Sequence, residues 1–258
     1  MERAITHELR GAVAIVRFAA PPSGQITIRA ARELLDTMGS LLADAHVRAI
    51  ILTGGQPGIF IRHASIADIA RGSLALAEGR ASLDDYAEGA FIRLGALLDN
   101  ADKPVIAAID GLCMGGGYEI ALSCVLRIAG TERTLIGLPE IRLDICPGSG
   151  GIPRLARLIG PHRARRLALL GTLHDGAAAL AEGLVDEVAA DPLKRAMDLA
   201  EALSVRHPAA VAAILRSATS GVTPADTARI FGQVVAEPKV LERLDRHLAS
   251  GVPLEDLT

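Results

Sequence analysis

The chain has 258 residues, half of them apolar, which is enough to build one sizeable hydrophobic core with a small appendage. Its formal net charge of −3 gives no sign of binding to nucleic acid or to an acidic membrane surface. Tryptophan is absent and other aromatic residues are scarce, which argues against the stacking platforms that hold single-stranded nucleic acid. The N-terminal sequence MERAITHELRG lacks the charged-then-apolar pattern of a signal peptide, and no run approaches about 18 apolar residues, so we expect a cytoplasmic protein.

The cysteines indicate neither disulfides nor a metal centre. Cys113, Cys124 and Cys146 are odd in number and form no CxxC pair, so we expect reduced, buried thiols. No His or Cys cluster has the spacing of metal ligands, and the sequence therefore predicts no metal site.

Strands and helices alternate through the first part of the chain. Val13 to Phe18 and Ala49 to Thr53 are short apolar runs that are typical of strands. Between them, Ile26 to Ala45 has apolar residues at helical spacing, and a further helix is predicted at Leu83 to Leu98. This alternation, without a low-complexity linker, predicts an α/β fold with parallel strand pairing.

After Val188 the sequence predicts helices with no strand between them. Prolines and glycines separate these helices, because both residues interrupt helical patterns. The predicted helices are Asp191 to Ser204, Ala209 to Ser217, Pro224 to Val235 and Val240 to Leu248.

The most informative stretch is Lys103 to Cys124, KPVIAAIDGLCMGGGYEIALSC. It starts with a buried strand at Pro104 to Ile109 and passes through three glycines into a helical pattern. Such a passage places unpaired backbone N–H groups at the positive end of a helix dipole. Because Gly115 to Gly117 carry no side chains, a ligand can approach that backbone closely. Glu119 lies beside these donors, and this combination suits proton transfer next to a carbonyl.

Two motifs carry a resemblance to a known family. KPVIAAIDGLCMGGGYEIALSC, followed by GLPEIRLDICPGSGGIPRLARLIG, resembles the crotonase superfamily, the enoyl-CoA hydratase/isomerase family. The resemblance extends from VAIVRF near the start to AEGLVDEV, which ends at Val188. It implies a spiral of ββα turns over residues 1–190 and a C-terminal helical region over 191–258 that serves trimerisation and covers the acyl site. It also implies an acyl-CoA thioester substrate, coenzyme A being part of the substrate and not a separate cofactor, and a homotrimer or homohexamer.

The resemblance places an oxyanion hole at two backbone N–H groups. The second donor corresponds to Gly116, the middle glycine. The first donor belongs to a family pattern close to F-x-A-G-x-D, where this chain has FIRHAS. An ungapped alignment puts Arg62 at the donor position, His63 in place of the glycine and Ser65 in place of the aspartate. A shifted alignment through Asp68 would restore the aspartate but requires an insertion, so we expect Arg62 to supply the donor.

The two catalytic glutamates of the family correspond to Glu119 and Glu140. One carboxylate would take a proton from water while the other, protonated, delivers a proton to Cα of the substrate. Two carboxylates that share a water titrate as a coupled pair, which would supply an acid and a base near neutral pH. Taken alone, Glu119 would be a residue that stabilises a helix dipole and Glu140 a solvated turn residue. Their joint occurrence in two family motifs favours the hydration of an α,β double bond, with the oxyanion hole stabilising the enolate.

Further residues are predicted to line the substrate site. These are His63, Ala64, Gly115, Gly117, Asp144 and Gly148. His63, with Arg62, would contact the CoA phosphates or the acyl group, or face solvent. Asp144 stands where the family usually has glycine, and it is either a third acidic group near the acyl pocket or a turn residue. Ser149 lacks the flanking spacing of a G-x-S-x-G nucleophile.

Two alternatives to a hydratase stay open on the sequence alone. A double-bond isomerase or a C–C lyase would use the same site with one glutamate moving protons. A non-catalytic homologue would bind CoA thioesters without turnover, and the altered FIRHAS loop motivates this hypothesis.

Overall fold

The computed structural model describes residues 3–131, 133–219 and 221–256, which fold around a largely parallel central sheet. The strands are β1 (Ile5–Arg10), β2 (Val13–Phe18), β3 (Gln25–Ile26), β4 (Ala49–Gly54), β5 (Ile59–Ile61), β6 (His63–Ala64), β7 (Val105–Ile109), β8 (Leu112–Met114), β9 (Leu126–Ala129), β10 (Leu135–Gly137) and β11 (Glu187–Val188). The helices are α1 (Ile28–Ala43), α2 (Ile66–Ala77), α3 (Leu83–Ala87), α4 (Ala90–Asp99), α5 (Gly116–Ala121), α6 (Gly151–Ile159), α7 (Pro161–Leu170), α8 (Gly176–Ala181), α9 (Pro192–Ser204), α10 (Pro208–Ser217), α11 (Pro224–Val235) and α12 (Pro238–Ser250). Glu140–Leu143 and Leu254–Asp256 are 3-10 turns.

The central sheet has the strand order β1-β2-β4-β7-β9-β11. β1 and β2 form an antiparallel hairpin, and every later neighbouring pair in this order is parallel. β7 is apolar along its whole length and β4 is apolar from Ala49 to Leu52, because both faces of the sheet are covered. In β2, Val13 and Ile15 pack with Ala196 of α9, whereas Ala14 and Val16 belong to the larger core on the opposite face.

A repeating unit connects this sheet with a second, smaller one. β4, β7 and β9 lie in the central sheet, and each is followed in the chain by a short strand of the second sheet, β5, β8 or β10. Helical segments come after each of these pairs, so the chain advances as a spiral of strand, strand and helix. The predicted α/β fold with ββα turns and a C-terminal helical region is confirmed.

Three local predictions differ from the structure. The helix predicted at Leu83 to Leu98 is divided at Gly89 into α3 and α4, since a capping box at Ser82 starts a short separate helix. The strand β1 was not predicted, because its alternating polar residues lie exposed on a sheet edge. Cys146 is exposed, so the expectation of a buried thiol is wrong for this cysteine and holds for the other two.

The C-terminal helices follow the predicted segments closely. Each of α9 to α12 has proline in its first turn, where the missing N–H costs nothing. α9 packs on the central sheet through Ala196 and Ala200. α11 and α12 have no buried residues and leave Phe231 and Leu248 largely exposed. The boundary between residues 190 and 191 stays a prediction. None of the helices in the described residues has the length and apolar character needed to cross a membrane.

Candidate active site

The glycine segment joins β8 to α5 at the centre of the site. Gly115 has a φ of 50°, which favours glycine, and its N–H donates to the carbonyl of Gly137 at 3.0 Å. A side chain at Gly117 would collide with the carbonyl oxygen of Ile61, so glycine lets α5 pack directly on β5. No side chain caps α5, and the N–H of Gly116 lies in its first turn, where helices leave donors without partners.

The amide of Arg62 is not available as the first oxyanion donor. Its N–H donates to the carbonyl of Gly24 at 2.9 Å, and the Arg62 carbonyl accepts from Met114 at 3.0 Å. The Arg62 side chain is exposed. The expectation that Arg62 supplies the donor is therefore corrected: its backbone holds neighbouring segments together.

Ala64 is the residue of this segment whose backbone lies beside Gly116. Ala64 lies opposite Ile26 in the parallel pair β3–β6, and the next amide, Ser65 N–H, donates to the Ile26 carbonyl at 2.8 Å. Since successive N–H groups of an extended strand point in opposite directions, the Ala64 N–H points away from β3. Gly116 lies close by: a Cβ built on it would be 3.3 Å from the Ala64 nitrogen and 2.9 Å from the Ala64 Cβ. The geometry thus pairs the amides of Ala64 and Gly116.

Glu119 is a buried carboxylate held by two backbone amides. Its side chain is 4% exposed, and Oε1 accepts from the N–H of Ser149 at 2.7 Å and of Gly151 at 2.8 Å. Burial raises the pKa of Glu119, while these N–H groups and the charge of Arg154 act in the opposite direction and lower it. A Cβ on Gly151 would be 2.6 Å from the Glu119 Cγ, so this position needs glycine.

Glu140 approaches the glycine segment at Gly115. Its Oε1 would be 3.0 Å from a Cβ built on Gly115, and its Oε2 is buried without a hydrogen bond to any described residue. Burial, and to a smaller extent the charge of Glu119, raise the pKa of Glu140 to about 7. The two glutamates therefore differ: two backbone N–H groups favour the charged form of Glu119, whereas burial favours the protonated form of Glu140, whose own backbone N–H opposes this in part.

The remaining predicted site residues divide into two groups. His63 is near the glutamates: its Cβ is 3.7 Å from a Cβ built on Gly115, and its Nδ1 lies 2.8 Å from the Ala64 carbonyl. Asp144 is exposed and ends the 3-10 turn with a φ of 57°, which is the turn residue that the sequence offered as one alternative. Gly148 is exposed with open space around its Cα.

The two alignments of the FIRHAS loop differ in whether Ser65 or Asp68 takes the place of the family aspartate. Both residues make hydrogen bonds at helix starts. The Asp68 carboxylate accepts from the Ile28 N–H at 2.8 Å and also contacts Arg71. The Ser65 hydroxyl accepts from the Asp68 N–H at 3.2 Å and caps α2. These bonds join the starts of α1 and α2. In the described parts of the chain, no three His, Cys, Asp or Glu side chains are grouped in a way that could hold a metal ion.

Comparisons with known proteins agree with this geometry. The family profile described as enoyl-CoA hydratase/isomerase matches residues 8–246. The chain therefore belongs to the enoyl-CoA hydratase/isomerase family. Members of this family, which is part of the crotonase superfamily, act on acyl-CoA thioesters.

Individual members of the enoyl-CoA hydratase/isomerase family show how far the similarity extends. YngF of Bacillus subtilis, named as an enoyl-CoA hydratase/isomerase, is 40% identical over 172 residues, which are 65% of this chain and 62% of YngF. The fatty acid oxidation complex subunit alpha of Shewanella loihica is 32% identical over 81% of this chain, but the match covers only 29% of that subunit. The chain thus spans less than two thirds of the length of these curated relatives. An enoyl-CoA hydratase structure from Geobacillus kaustophilus has a TM-score of 0.84 and 29% identity, with 96% of this chain and 95% of that chain covered.

Proposed function

We propose that this protein is an enoyl-CoA hydratase, which adds water across the α,β double bond of an acyl-CoA thioester. The observation that carries the proposal is the pair Glu119 and Glu140 beside one glycine segment. Glu119 is buried and accepts two backbone N–H bonds, whereas Glu140 is half-buried and its Oε2 has no partner among the described residues. Hydration requires a base and an acid in the same site, and such a pair can supply both. The reaction needs no cofactor besides the coenzyme A that the substrate carries.

The oxyanion hole would consist of the N–H groups of Ala64 and Gly116. When hydroxide adds to Cβ, the electrons of the double bond move toward the thioester oxygen, which becomes enolate-like. Donors that meet this developing charge lower the barrier, because the charge is larger in the transition state than in the bound substrate. Each such donor is worth roughly 3 kcal/mol, or about a hundredfold in rate.

The hydrogen bonds support a different role for each glutamate. Ionised Glu119 accepts a proton from the attacking water, since the amides of Ser149 and Gly151 stabilise its negative charge. Protonated Glu140 delivers its proton to Cα as the enolate collapses. With a pKa raised to about 7, Glu140 keeps this proton up to neutral pH and can release it within the reaction.

An isomerase is the second candidate, and one observation favours it. Because Glu140 has a pKa near 7 and an unpaired oxygen, it could both remove and return a proton without help from Glu119. An isomerase would shift the double bond of a 3-enoyl-CoA without incorporating solvent oxygen, whereas a hydratase must incorporate it.

The deciding experiment follows the loss of conjugated thioester absorbance with crotonyl-CoA and longer enoyl-CoAs, in water enriched in heavy oxygen. We expect rapid loss with label in the product, and a decrease in kcat of roughly 10²- to 10⁴-fold in Glu119→Gln and in Glu140→Gln. Glu201→Gln, an exposed carboxylate on α9, is the matched control and should behave as the wild type. Protein that binds CoA thioesters but turns none of them over would contradict the proposal and favour a non-catalytic homologue.

Self-association as a homotrimer or homohexamer is part of the same proposal. The exposed apolar side chains of α11 and α12, among them Phe231 and Leu248, support it because a large exposed apolar surface often marks a contact with another protein chain. Light scattering coupled to size-exclusion chromatography would give the molar mass. A monomer at micromolar concentration would contradict this part.

A further inference from the structure

The position of Glu119 depends on a loop that it does not belong to. Both amides that bind its Oε1 are backbone groups of the segment Ser149 to Gly151, which leads into α6. Backbone donors can hold a carboxylate in place only if the loop itself is held. Any contact that fixes this segment therefore also fixes the Glu119 carboxylate.

Arg154 fixes it with a buried guanidinium. Its Nη1 donates to the carbonyl of Ser149 at 2.7 Å, the same residue whose N–H binds Glu119. The other side of the guanidinium binds Asp99 at the end of α4, with Nη2 at 2.7 Å and Nε at 3.0 Å from the carboxylate oxygens. The Arg154 side chain is 9% exposed and that of Asp99 is 31% exposed, so the guanidinium is largely removed from water while its carboxylate partner keeps contact with it.

The surroundings of Arg154 are shaped to receive it. Side chains at Gly95 on α4 or at Gly150 in the loop would collide with the guanidinium, and Gly150 has a φ of 89°. Arg154 lies near the start of α6, where the helix dipole disfavours a positive charge. The arginine therefore does not serve the stability of its own helix, and its hydrogen bonds to the loop and to Asp99 account for its position.

We propose that Arg154, anchored by Asp99, is a positioning residue for Glu119: it holds the Ser149 carbonyl so that the amides of Ser149 and Gly151 point at the Glu119 carboxylate. The proposal rests on the proposed function, in which Glu119 accepts a proton from the attacking water. It assigns Arg154 no contact with the substrate.

Removal of the guanidinium changes both the charge and the hydrogen bonds around Glu119. Without the positive charge, and with the amides of Ser149 and Gly151 free to move, the charged form of Glu119 loses stabilisation and its pKa rises further. Tyr118 is the other ionisable group on α5, and Glu140 lies beside the glycine segment. The described elements packed against α5 carry Arg93 and Asp99 on α4, Arg154 and Arg157 on α6, His63 on β6 and Cys113 on β8.

The test measures the Glu119 carboxylate directly, by carbon NMR titration of protein labelled at the glutamate carboxyl carbons, with the signal assigned through Glu119→Gln. In Arg154→Gln we expect the titration midpoint of Glu119 to move up by about one pH unit. We also expect kcat for enoyl-CoA hydration to fall at least about tenfold, with KM changed by less than about twofold. Arg157→Gln is the matched control, because Arg157 is exposed on the same helix and only reaches 4.0 Å from Asp99.

Arg154→Lys separates the charge from the geometry. A lysine keeps the positive charge but cannot bind Ser149 and Asp99 through one rigid fork, so we expect the Glu119 midpoint to recover partly while kcat stays low. If Arg154→Gln does not fold, Asp99→Asn loosens the same anchor without removing the arginine and should move both readouts in the same direction.

The proposal is overturned if folded Arg154→Gln keeps the Glu119 midpoint and kcat of the Arg157→Gln control. Recovery of full kcat by Arg154→Lys would show that the charge alone matters and would also overturn it. If the wild type hydrates no enoyl-CoA, the proposed function fails, yet the titration of Glu119 still decides whether Arg154 positions the carboxylate.

Discussion

Replacement of the Ala64 amide by an ester tests the oxyanion hole at a single atom. The ester, introduced as the α-hydroxy analogue of alanine, removes the N–H and keeps the side chain and the strand. The adjacent Ser65 N–H makes the bond to β3 and the Ala64 N–H points away from β3, so its loss should break no bond of the β3–β6 pair. We expect the free energy of unfolding to change by less than about 0.5 kcal/mol, which is below the usual cost of a lost backbone hydrogen bond.

Catalysis should respond much more strongly than stability. One of two donors to the enolate oxygen is lost, and Gly116 keeps the other. A donor of this kind is worth roughly 3 kcal/mol, so kcat should fall about 10²- to 10³-fold. The loss should appear in kcat and kcat/KM alike, because the bond is made mainly in the transition state. The assay is the absorbance of crotonyl-CoA, with urea unfolding curves recorded on the same preparations.

The same replacement at Arg62 is the matched control. The Arg62 N–H donates to the Gly24 carbonyl, so its loss should reduce the free energy of unfolding by about 1 kcal/mol and leave kcat within roughly threefold. The reverse pattern, with catalysis lost at Arg62 and kept at Ala64, would refute the assignment of the donor.

Three further predictions concern pH, packing and thiol exposure. Because the pKa of Glu140 is raised from 4.5 to about 7, its protonation contributes stability that is complete below about pH 4.5 and is lost as pH rises from there through about 7. Glu140→Gln should therefore be more stable than the wild type above pH 7, by about 1–3 kcal/mol in urea unfolding. Equal stability of the variant and the wild type would contradict the cost of burying the ionised Glu140 side chain. Gly151→Ala should displace Glu119, so that the activation free energy rises and the free energy of unfolding falls by about 1–3 kcal/mol each. Gly39→Ala, in α1 with open space around it, should leave kcat unchanged and not reduce stability. Equal behaviour of the two variants would contradict the contact between Gly151 and Glu119. Cys146 should react with a thiol reagent in the folded protein, with the two buried cysteines reacting after unfolding; a Cys146→Ser variant that still reacts at once would contradict this.

The sequence predicted those features that depend on local pattern. Continuous apolar runs indicated β4 and β7, and prolines at helix starts separated α9 to α12. Glu119 and Glu140 were identified differently, because they correspond to the two catalytic glutamates in the motifs that resemble the family. Both glutamates do flank the glycine segment in the structure.

Features set by contacts between distant segments could not be read in the same way. The direction of the Ala64 amide depends on the pairing of β6 with β3, two short strands far apart in the chain. An alignment by residue type selected Arg62, and residue type carries no information on which N–H of the segment is taken up by pairing with β3. The binding of Glu119 by Ser149 and Gly151 likewise joins segments about thirty residues apart. Ser149 was considered only for its hydroxyl, while its backbone makes the contact.

The packing of α9 on the central sheet has a consequence for the order in which the protein can fold during synthesis. The face of the sheet formed by Val13, Ile15, Ile51 and Ile106 is covered by α9, which comes after all the strands in the chain. A nascent chain that has left the ribosome only as far as residue 190 would present these aliphatic side chains to water, as an apolar surface open to aggregation. Stable folding of the sheet therefore waits for residues 192–204, and a fragment that ends before them should be a client for chaperones.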